Sequence, residues 1–108
     1  MPESLRLSHQ ALRVLKAFLD SFSSDVRAEL AGADLMKVAR LSSGTLYPIL
    51  LRFEKAGLLS SRWEDDRPED LGRPRRRFYK ITPAGVKVAH DALRELSSPL
   101  GELSPGEA

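Results

Sequence analysis

The chain has 108 residues, a length that accommodates one domain with a small hydrophobic core. Hydrophobic residues make up 42% and charged residues 30%, and the formal net charge is +2, which is an ordinary balance for a globular protein. No apolar run approaches the ~20 residues of a membrane span, no signal-peptide pattern opens the chain, and the absence of cysteine excludes disulfides and thiolate metal sites. We therefore expect a cytoplasmic protein with no membrane partner.

The first helix is predicted from Ser8 to Ser21, after a short tail of residues 1–7. The Ser8 hydroxyl is suited to cap it. Apolar side chains recur at helical spacing and predict its buried stripe, namely Leu12, Leu15, Phe18, Leu19 and Phe22. Three polar side chains are predicted to face water: Arg13, Lys16 and Asp20. Residues 23–25 break the pattern, and residues 26–30 fit either a short strand or a helical turn.

Two further helices are predicted over residues 31–40 and 42–56, and the short turn between them makes a helix-turn-helix. Ser42 is placed to cap the second of these helices, and Gly57 is placed to end it. The residues predicted to face inward are Leu35, Val38 and Ala39 in one helix and Leu46, Ile49, Leu50 and Phe53 in the other.

The start of helix 42–56 breaks a local rule. Pro48 lies too deep in the helix to be a free first-turn residue, and it removes a hydrogen bond to the Gly44 carbonyl. The face opposite the apolar stripe carries hydroxyls and then cations, namely Ser43, Thr45, Tyr47, Arg52 and Lys55. A helix N-terminus with free amides is also a phosphate site. The pattern predicts a functional surface at this end of the helix.

Residues 58–64 and 75–81 are predicted to be the strands of a hairpin joined by a loop over residues 65–74. A hairpin after a helix-turn-helix gives an α+β fold, the winged helix, with three helices and a two-stranded wing. Phe78 is predicted to enter the core and Trp63 to pack against a helix. Residues 73–80 carry a local charge of +5 and residues 64–70 a local charge of −4. This distribution indicates either an anionic partner or a hairpin whose arms neutralise each other.

The last helix is predicted over residues 83–98, with Thr82 as its cap and Pro83 at its first position. Residues 1–82 would then be the winged-helix domain, and residues 99–108 a disordered tail. Apolar residues spaced three, four and three apart form a seam, namely Val86, Ala89, Leu93 and Leu96. Such a seam can form the dimer interface with a second copy, or it can pack on the first helix.

Five short motifs occur in one order along the chain. They are Ser-Gly-Thr-Leu-Tyr-Pro at 43–48, Gly57-Leu58, Arg62-Trp63-Glu64, Gly72-Arg73-Pro74 and Phe78-Tyr79-Lys80-Ile81-Thr82. From about residue 33 to about residue 89, the chain resembles a PadR-type transcriptional regulator in a short form with a single C-terminal helix. The resemblance implies a repressor that binds operator DNA with its winged helix and dimerises through its C-terminal helix. It also favours Tyr47 as a DNA contact.

Small members of that family can bind planar drugs between paired aromatic residues at the dimer interface. The predicted C-terminal helix contains no aromatic residue. A small-molecule effector is therefore unsupported by this sequence, and no cofactor is expected.

The leading hypothesis is a homodimeric, sequence-specific regulator that binds double-stranded DNA through helix 42–56 and the base of the wing. Arginines at the wing base are suited to a narrow minor groove. The residues predicted to contact DNA are Ser43, Gly44, Thr45, Tyr47, Pro48, Arg52, Lys37, Arg40, Arg73 and Arg75.

The alternative is a winged-helix module that binds proteins, because the acidic loop could meet a basic partner. A metal sensor is disfavoured, since the two histidines, His9 and His90, lack neighbouring ligands at metal-binding spacing. An enzyme is disfavoured because the sequence shows no histidine beside a nucleophile and no glycine-rich phosphate loop.

Overall fold

The computed structural model describes residues 7–97, which contain five helices and three strands. In chain order they are α1 (His9–Ser24), β1 (Leu30–Ala31), α2 (Gly32–Ala39), α3 (Ser43–Lys55), β2 (Leu59–Trp63), α4 (Pro68–Leu71), β3 (Arg77–Ile81) and α5 (Pro83–Ser97). Residues 1–6 of the predicted N-terminal tail, residue 98 of the predicted last helix and the predicted tail 99–108 lie outside the described residues. The arrangement is a winged helix, which confirms the predicted fold class.

Helix α1 continues to Ser24 and is therefore longer than the sequence pattern predicted. The Ser8 hydroxyl accepts a hydrogen bond from the Ala11 amide at 3.1 Å, as expected of a cap. Phe22 packs against the core, so the last turn has an apolar contact that extends the helix. The buried side chains of α1 are Ala11, Val14, Leu15, Ala17, Phe18 and Leu19.

Arg13 was predicted only to face water, but its side chain also caps the end of α2. Its guanidinium donates to the Ala39 carbonyl from Nη2 at 2.8 Å and from Nε at 3.0 Å, and to the Arg40 carbonyl at 2.9 Å. Arg40 adopts a left-handed conformation with φ of 58°, which ends α2. Last-turn carbonyls have no partner within their own helix, so the Arg13 cation satisfies them and ties α1 to the turn of the helix-turn-helix.

Val38 was predicted to face inward, and this is wrong. Its side chain is 63% exposed, whereas Leu35 and Ala39 are buried. Positions 35, 38 and 39 fit the helical period, but α2 has only eight residues and buries only Gly32, Leu35 and Ala39, so its core-facing side is too narrow to include position 38.

The sheet has three antiparallel strands in the order β1-β3-β2, one more than predicted. Leu30 pairs with Tyr79 and Ala31 with Phe78, so the ambiguous segment before α2 ends as a strand. The loop between β2 and β3 contains the short helix α4, which begins with Pro68 and ends at a left-handed Gly72. We call β2, β3 and the loop between them the wing.

Phe78 was predicted to be the core residue of the wing, and this is wrong. The core residue is its neighbour Tyr79. Tyr79 is 6% exposed and belongs to the core cluster, whereas Phe78 is only partly buried, with the Arg62 guanidinium 5.2 Å from its ring centre. Side chains alternate across a sheet. Residues 77, 79 and 81 of β3 therefore share the face towards α3, and residues 78 and 80 lie on the other face.

The entry to α5 is locked to the end of α3. The Thr82 hydroxyl accepts from the Gly85 amide at 3.0 Å, which confirms the predicted cap, and donates to the Gly57 carbonyl at 2.7 Å. At the other side of this junction, Gly57 adopts φ of 80°, which favours glycine and ends α3 as predicted.

Helix α5 shares its core with the winged helix. Ala89 is fully buried and Ala92 is 9% exposed, whereas Leu96 is 62% exposed. Val86 and Leu93 are partly buried against the core. The four residues of the predicted seam therefore do not form one exposed surface, because Ala89 is in the core of its own chain and Leu96 is exposed. No helix within residues 7–97 combines the length and apolar character needed to cross a membrane.

Candidate nucleic-acid interface

The first turns of α3 present a polar, open surface. Ser43, Gly44, Thr45 and Pro48 are all exposed. A Cβ atom built on Gly44 would meet nothing within 4 Å, so solvent surrounds this part of the helix. The opposite side is anchored in the core by the predicted stripe, which the structure confirms: Leu46, Ile49, Leu50 and Phe53. The core therefore fixes which residues of α3 face outward.

Ser42 occupies the predicted cap position of α3, but its side chain does not cap the helix. Its hydroxyl instead donates to the Thr45 hydroxyl over 3.4 Å. The Ser42 carbonyl accepts from the amides of Thr45 and Leu46, at 3.2 and 2.9 Å. The first amides of a helix have no partner inside it. With no side-chain cap at Ser42, the positive end of α3 is open to an anion.

Pro48 does not interrupt α3, which continues through it to Lys55. Proline has no amide hydrogen, so the Gly44 carbonyl loses the helical partner it would otherwise have. The exposed start of α3 therefore has both donors and an acceptor on its backbone.

Tyr47 is 44% exposed, and its hydroxyl end lies against Gly32 in the first turn of α2. A Cβ atom on Gly32 would overlap the Tyr47 hydroxyl and lie 2.8 Å from the ring carbon Cζ. Tyr47 thus joins the two helices of the helix-turn-helix through its ring and leaves one side of that ring to solvent. Sequence reasoning did not identify Gly32, since nothing in the local pattern links it to Tyr47.

Four cationic side chains of the helix-turn-helix are exposed and make no ion pair within residues 7–97. They are Lys37, Arg40, Arg52 and Lys55. Unpaired, hydrated cations are the groups that neutralise DNA phosphates and release counterions. Three of them were predicted as DNA contacts, and Lys55 was predicted on the same face of α3.

Arg73 at the wing base is held by Glu64. Its two terminal nitrogens donate to the two carboxylate oxygens at 2.9 and 3.1 Å. The same carboxylate accepts from the Arg76 amide at 3.1 Å. The hydrogen bond from Arg73 holds the pKa of the Glu64 carboxyl below its usual range, against a smaller opposing effect of burial. Arg73 therefore fits the second interpretation of the charge distribution, in which the acidic and basic arms of the hairpin neutralise each other.

Arg75 differs from Arg73. It is exposed, and its Nε donates to the Asp66 carbonyl at 3.0 Å, but it makes no ion pair within the described chain. Its terminal nitrogens remain available to an anion. Arg75 is therefore the predicted wing-base contact that the structure leaves free.

Arg77 turns inward and bridges the wing to α3. Its Nη2 donates to the Ser61 hydroxyl at 2.7 Å and lies 3.7 Å from a Glu54 carboxylate oxygen. Ser61 donates in turn to the same Glu54 oxygen at 2.5 Å. The strand alternation of β3 could have shown that residue 77 faces α3, but the choice of Glu54 as its partner depends on the tertiary fold.

Trp63 was predicted to pack against a helix, and this is wrong. It is 56% exposed, and its ring carries the Arg77 guanidinium 4.9 Å from its centre. Trp63 lies directly across from Arg77 in the register of the two wing strands. Trp63 therefore covers the guanidinium that joins the wing to α3.

Tyr79 lies beneath this bridge. Burial raises the pKa of the Tyr79 hydroxyl, and the nearby Arg77 guanidinium opposes the rise. Tyr79 therefore keeps its proton at neutral pH and adds no negative charge beside α3. Residues 7–97 contain no group of three or more histidine, cysteine or acidic side chains that could hold a metal ion.

Solved structures share this fold over most of the chain. The chain is 25% identical to NadR in complex with 4-hydroxyphenylacetate, with a TM-score of 0.67 over 86% of this chain and 57% of NadR. It is 25% identical to a PadR-like transcription factor from Bacteroides fragilis, with a TM-score of 0.60 over 82% of this chain and 84% of the other. The MepR–DNA complex of Staphylococcus aureus has a TM-score of 0.62, with 82% and 63% of the chains covered. At 14% identity it shows a likeness of fold alone.

A search of curated proteins gives no match. The sequence profile of the transcriptional regulator PadR-like family matches residues 12–91, which include the helix-turn-helix, the wing and most of α5. The earlier resemblance and the prediction of a DNA-binding regulator rather than an enzyme are thereby confirmed. The chain belongs to the PadR-like family of transcriptional regulators.

Proposed function

We propose that this chain is a homodimeric repressor that recognises operator DNA with the first turns of α3 and contacts the backbone from the wing base. The observation that carries the proposal is the exposed first turn of α3, which lacks a side-chain cap and carries hydroxyls. The unpaired cations of α2 and α3 add the charge that DNA binding requires. The solved MepR–DNA complex, which shares the fold, supports DNA as the ligand.

Base recognition would come from Ser43, Gly44, Thr45, Tyr47 and Pro48, because a winged helix places the start of its recognition helix in the major groove. A hydroxyl both donates and accepts, so these side chains fit base edges and phosphates alike. The backbone contacts would come from Lys37, Arg40, Arg52 and Arg75. A contact by Arg73 would require its pair with Glu64 to open first.

The dimer in this proposal uses the exposed part of the α5 seam. Leu96 is the most exposed of the four predicted seam residues. Leu93, one turn before it, and Val86, in the first turn of α5, are partly buried. Ala89 contributes to the core of its own chain. A second copy would cover Leu96 and place two α3 helices on one DNA face.

The test is fluorescence anisotropy with a labelled duplex from upstream of the protein's own gene and a scrambled duplex of equal length. We expect tight binding to the first alone, weakened at least tenfold by Thr45→Ala. We expect Arg52→Gln to weaken binding to both duplexes and to lower the slope of log K against log salt by about 0.9. Arg94→Gln on α5, an exposed cation away from α3, is the matched control and should change neither quantity.

Equal, salt-sensitive binding to both duplexes would contradict sequence-specific recognition of this operator. Absence of binding to either at low salt would overturn the DNA proposal and favour the protein-interaction module. A reporter gene under the same upstream sequence decides the sign of regulation, because a repressor lowers its expression and an activator raises it.

A further inference from the structure

We infer that Arg77 is a positioning residue, which fixes the recognition helix α3 against the wing through Glu54 and Ser61 and does not itself contact DNA. The inference rests on the proposed DNA-binding function, which it deepens. Arg77 belongs to the basic segment of residues 73–80, and its charge alone would suggest a contact with DNA phosphates.

The strand register explains why Arg77 reaches α3. Trp63 pairs with Arg77, Ser61 with Tyr79 and Leu59 with Ile81, so these six side chains share one face of the sheet. Leu59 and Ile81 are buried in the core at one end of this face. Arg77 lies at the other end of this face, next to the loop of the wing and away from the core.

At that end the contacts are polar and involve both elements. Arg77 donates to Ser61 at 2.7 Å, Ser61 donates to Glu54 at 2.5 Å, and the Arg77 nitrogen lies 3.7 Å from the same Glu54 oxygen. The Arg77 and Glu54 side chains are only 34% and 33% exposed. The triangle therefore connects the last turns of α3 to the middle of β2 and the start of β3.

The guanidinium of Arg77 is already engaged on several sides. Trp63 covers one side at 4.9 Å, Ser61 accepts from Nη2, and Glu54 offsets its charge. Arg75 and Arg76, by contrast, are exposed and make no ion pair within residues 7–97. A phosphate would have to displace these partners of Arg77, whereas Arg75 and Arg76 have no ion pair to break.

If Arg77 is a positioning residue, Glu54 favours DNA binding, although its negative charge alone would oppose it. A carboxylate on a recognition helix repels phosphates, so removing one should strengthen DNA binding if only charge matters. If Glu54 instead holds Arg77 and the wing in place, Glu54→Gln must weaken binding. Glu69 on α4 is exposed and has no ion pair in the described chain, so Glu69→Gln measures the effect of charge alone.

The experiment compares anisotropy titrations of the operator duplex over a salt series for wild type, Glu54→Gln, Arg77→Gln and the double variant. We expect each single variant to bind about tenfold more weakly with the salt slope unchanged, and the double variant to bind no more weakly than the singles. Glu69→Gln should bind as well as wild type or better, and Arg75→Gln should lower the slope by about 0.9.

A second readout does not depend on DNA. Trp63 is the single tryptophan of the chain, so Arg77→Gln should change its fluorescence emission in the free protein. Glu54→Gln should change it in the same direction. Ser61→Ala removes the middle of the bridge without removing a charge and should reproduce the loss of affinity if Arg77→Gln fails to fold.

The inference is overturned if Arg77→Gln lowers the salt slope while Glu54→Gln strengthens binding, because Arg77 would then be a phosphate contact. It is also overturned if Arg77→Gln and Glu54→Gln bind as wild type does. Wild type that binds no duplex, with Trp63 emission still altered in both variants, would refute the DNA function and leave the bridge as a structural link.

Discussion

Gly32 has a role that its position at the start of a short helix does not suggest. The Tyr47 ring end lies where a side chain at residue 32 would be, so the close approach of α3 to α2 requires glycine. The same contact holds Tyr47 half exposed at the surface proposed to meet DNA. The absence of a side chain at residue 32 thereby determines the orientation of a residue that is proposed to contact DNA.

Gly32→Ala should therefore destabilise the protein by about 1–2 kcal/mol, because Tyr47 must leave its place and lose its packing. Gly44→Ala is the matched control, since a Cβ there meets nothing within 4 Å. It should be neutral or stabilise the helix by up to about 1 kcal/mol. Urea unfolding of both variants measures the difference. Equal stability of the two would contradict the contact between Gly32 and Tyr47.

At the scale of the elements, the turn of the helix-turn-helix depends on a cap from another helix. Arg13 of α1 donates three hydrogen bonds to carbonyls of Ala39 and Arg40. A cation at a helix C-terminus also interacts favourably with the helix dipole. The cap therefore fixes α2 against α1 and sets where α3 begins.

Arg13→Gln should lower the free energy of unfolding by about 1–3 kcal/mol, because it leaves carbonyls without their charged donor. Lys16→Gln on the same helix removes only an exposed pair with Asp20 and should cost at most about 0.5 kcal/mol. Thermal and urea unfolding compare the two. A loss as small for Arg13→Gln as for Lys16→Gln would show that the cap contributes little.

The ion pair between Glu64 and Arg73 joins two parts of the wing, and its contribution to stability depends on pH. Because the pair lowers the pKa of Glu64, its contribution is fully present above the ordinary glutamate pKa. It is lost as the pH falls through the lowered value. A ¹³C titration of the Glu64 carboxyl should show the lowered pKa in wild type and a rise in Arg73→Gln. An unchanged pKa in the variant would contradict the assigned cause.

At the scale of the whole molecule, the core of the chain covers only part of the apolar stripe of α5. Ala89 and Ala92 contribute to the core, whereas Leu96, seven residues after Ala89 on the same side of the helix, lies at the surface. A Leu side chain exposed near the end of a helix is available to a second copy. The oligomeric state should therefore respond to Leu96 and not to other exposed apolar residues.

Leu96→Glu should convert a dimer into a monomer by placing two carboxylates where the proposed interface lies, with the dissociation constant raised at least tenfold. Val38→Glu, an equally exposed apolar position on α2, is the matched control and should leave the mass unchanged. Analytical ultracentrifugation measures both. A dimer that survives Leu96→Glu would place the interface elsewhere, and circular dichroism checks that the variants fold.

The sequence by itself determined the features that depend on neighbouring residues. The helical period places Leu46, Ile49, Leu50 and Phe53 on one face, and that period follows from backbone geometry alone. The Thr82 cap and the Gly57 terminus likewise depend on residues a few positions apart. The order of motifs along residues 43–82 also indicated the family correctly.

Only the tertiary structure decided the partners of the charged and aromatic side chains. Arg13 and Ala39, Gly32 and Tyr47, and Glu54 and Arg77 are far apart in the chain, and they meet because the core fixes the helices and the sheet at short distances. The same packing brought Tyr79 instead of Phe78 into the core and held Arg73 on Glu64. Charge and hydrophobicity are properties of single residues, whereas the contacts that determine their roles depend on where the whole fold brings them together.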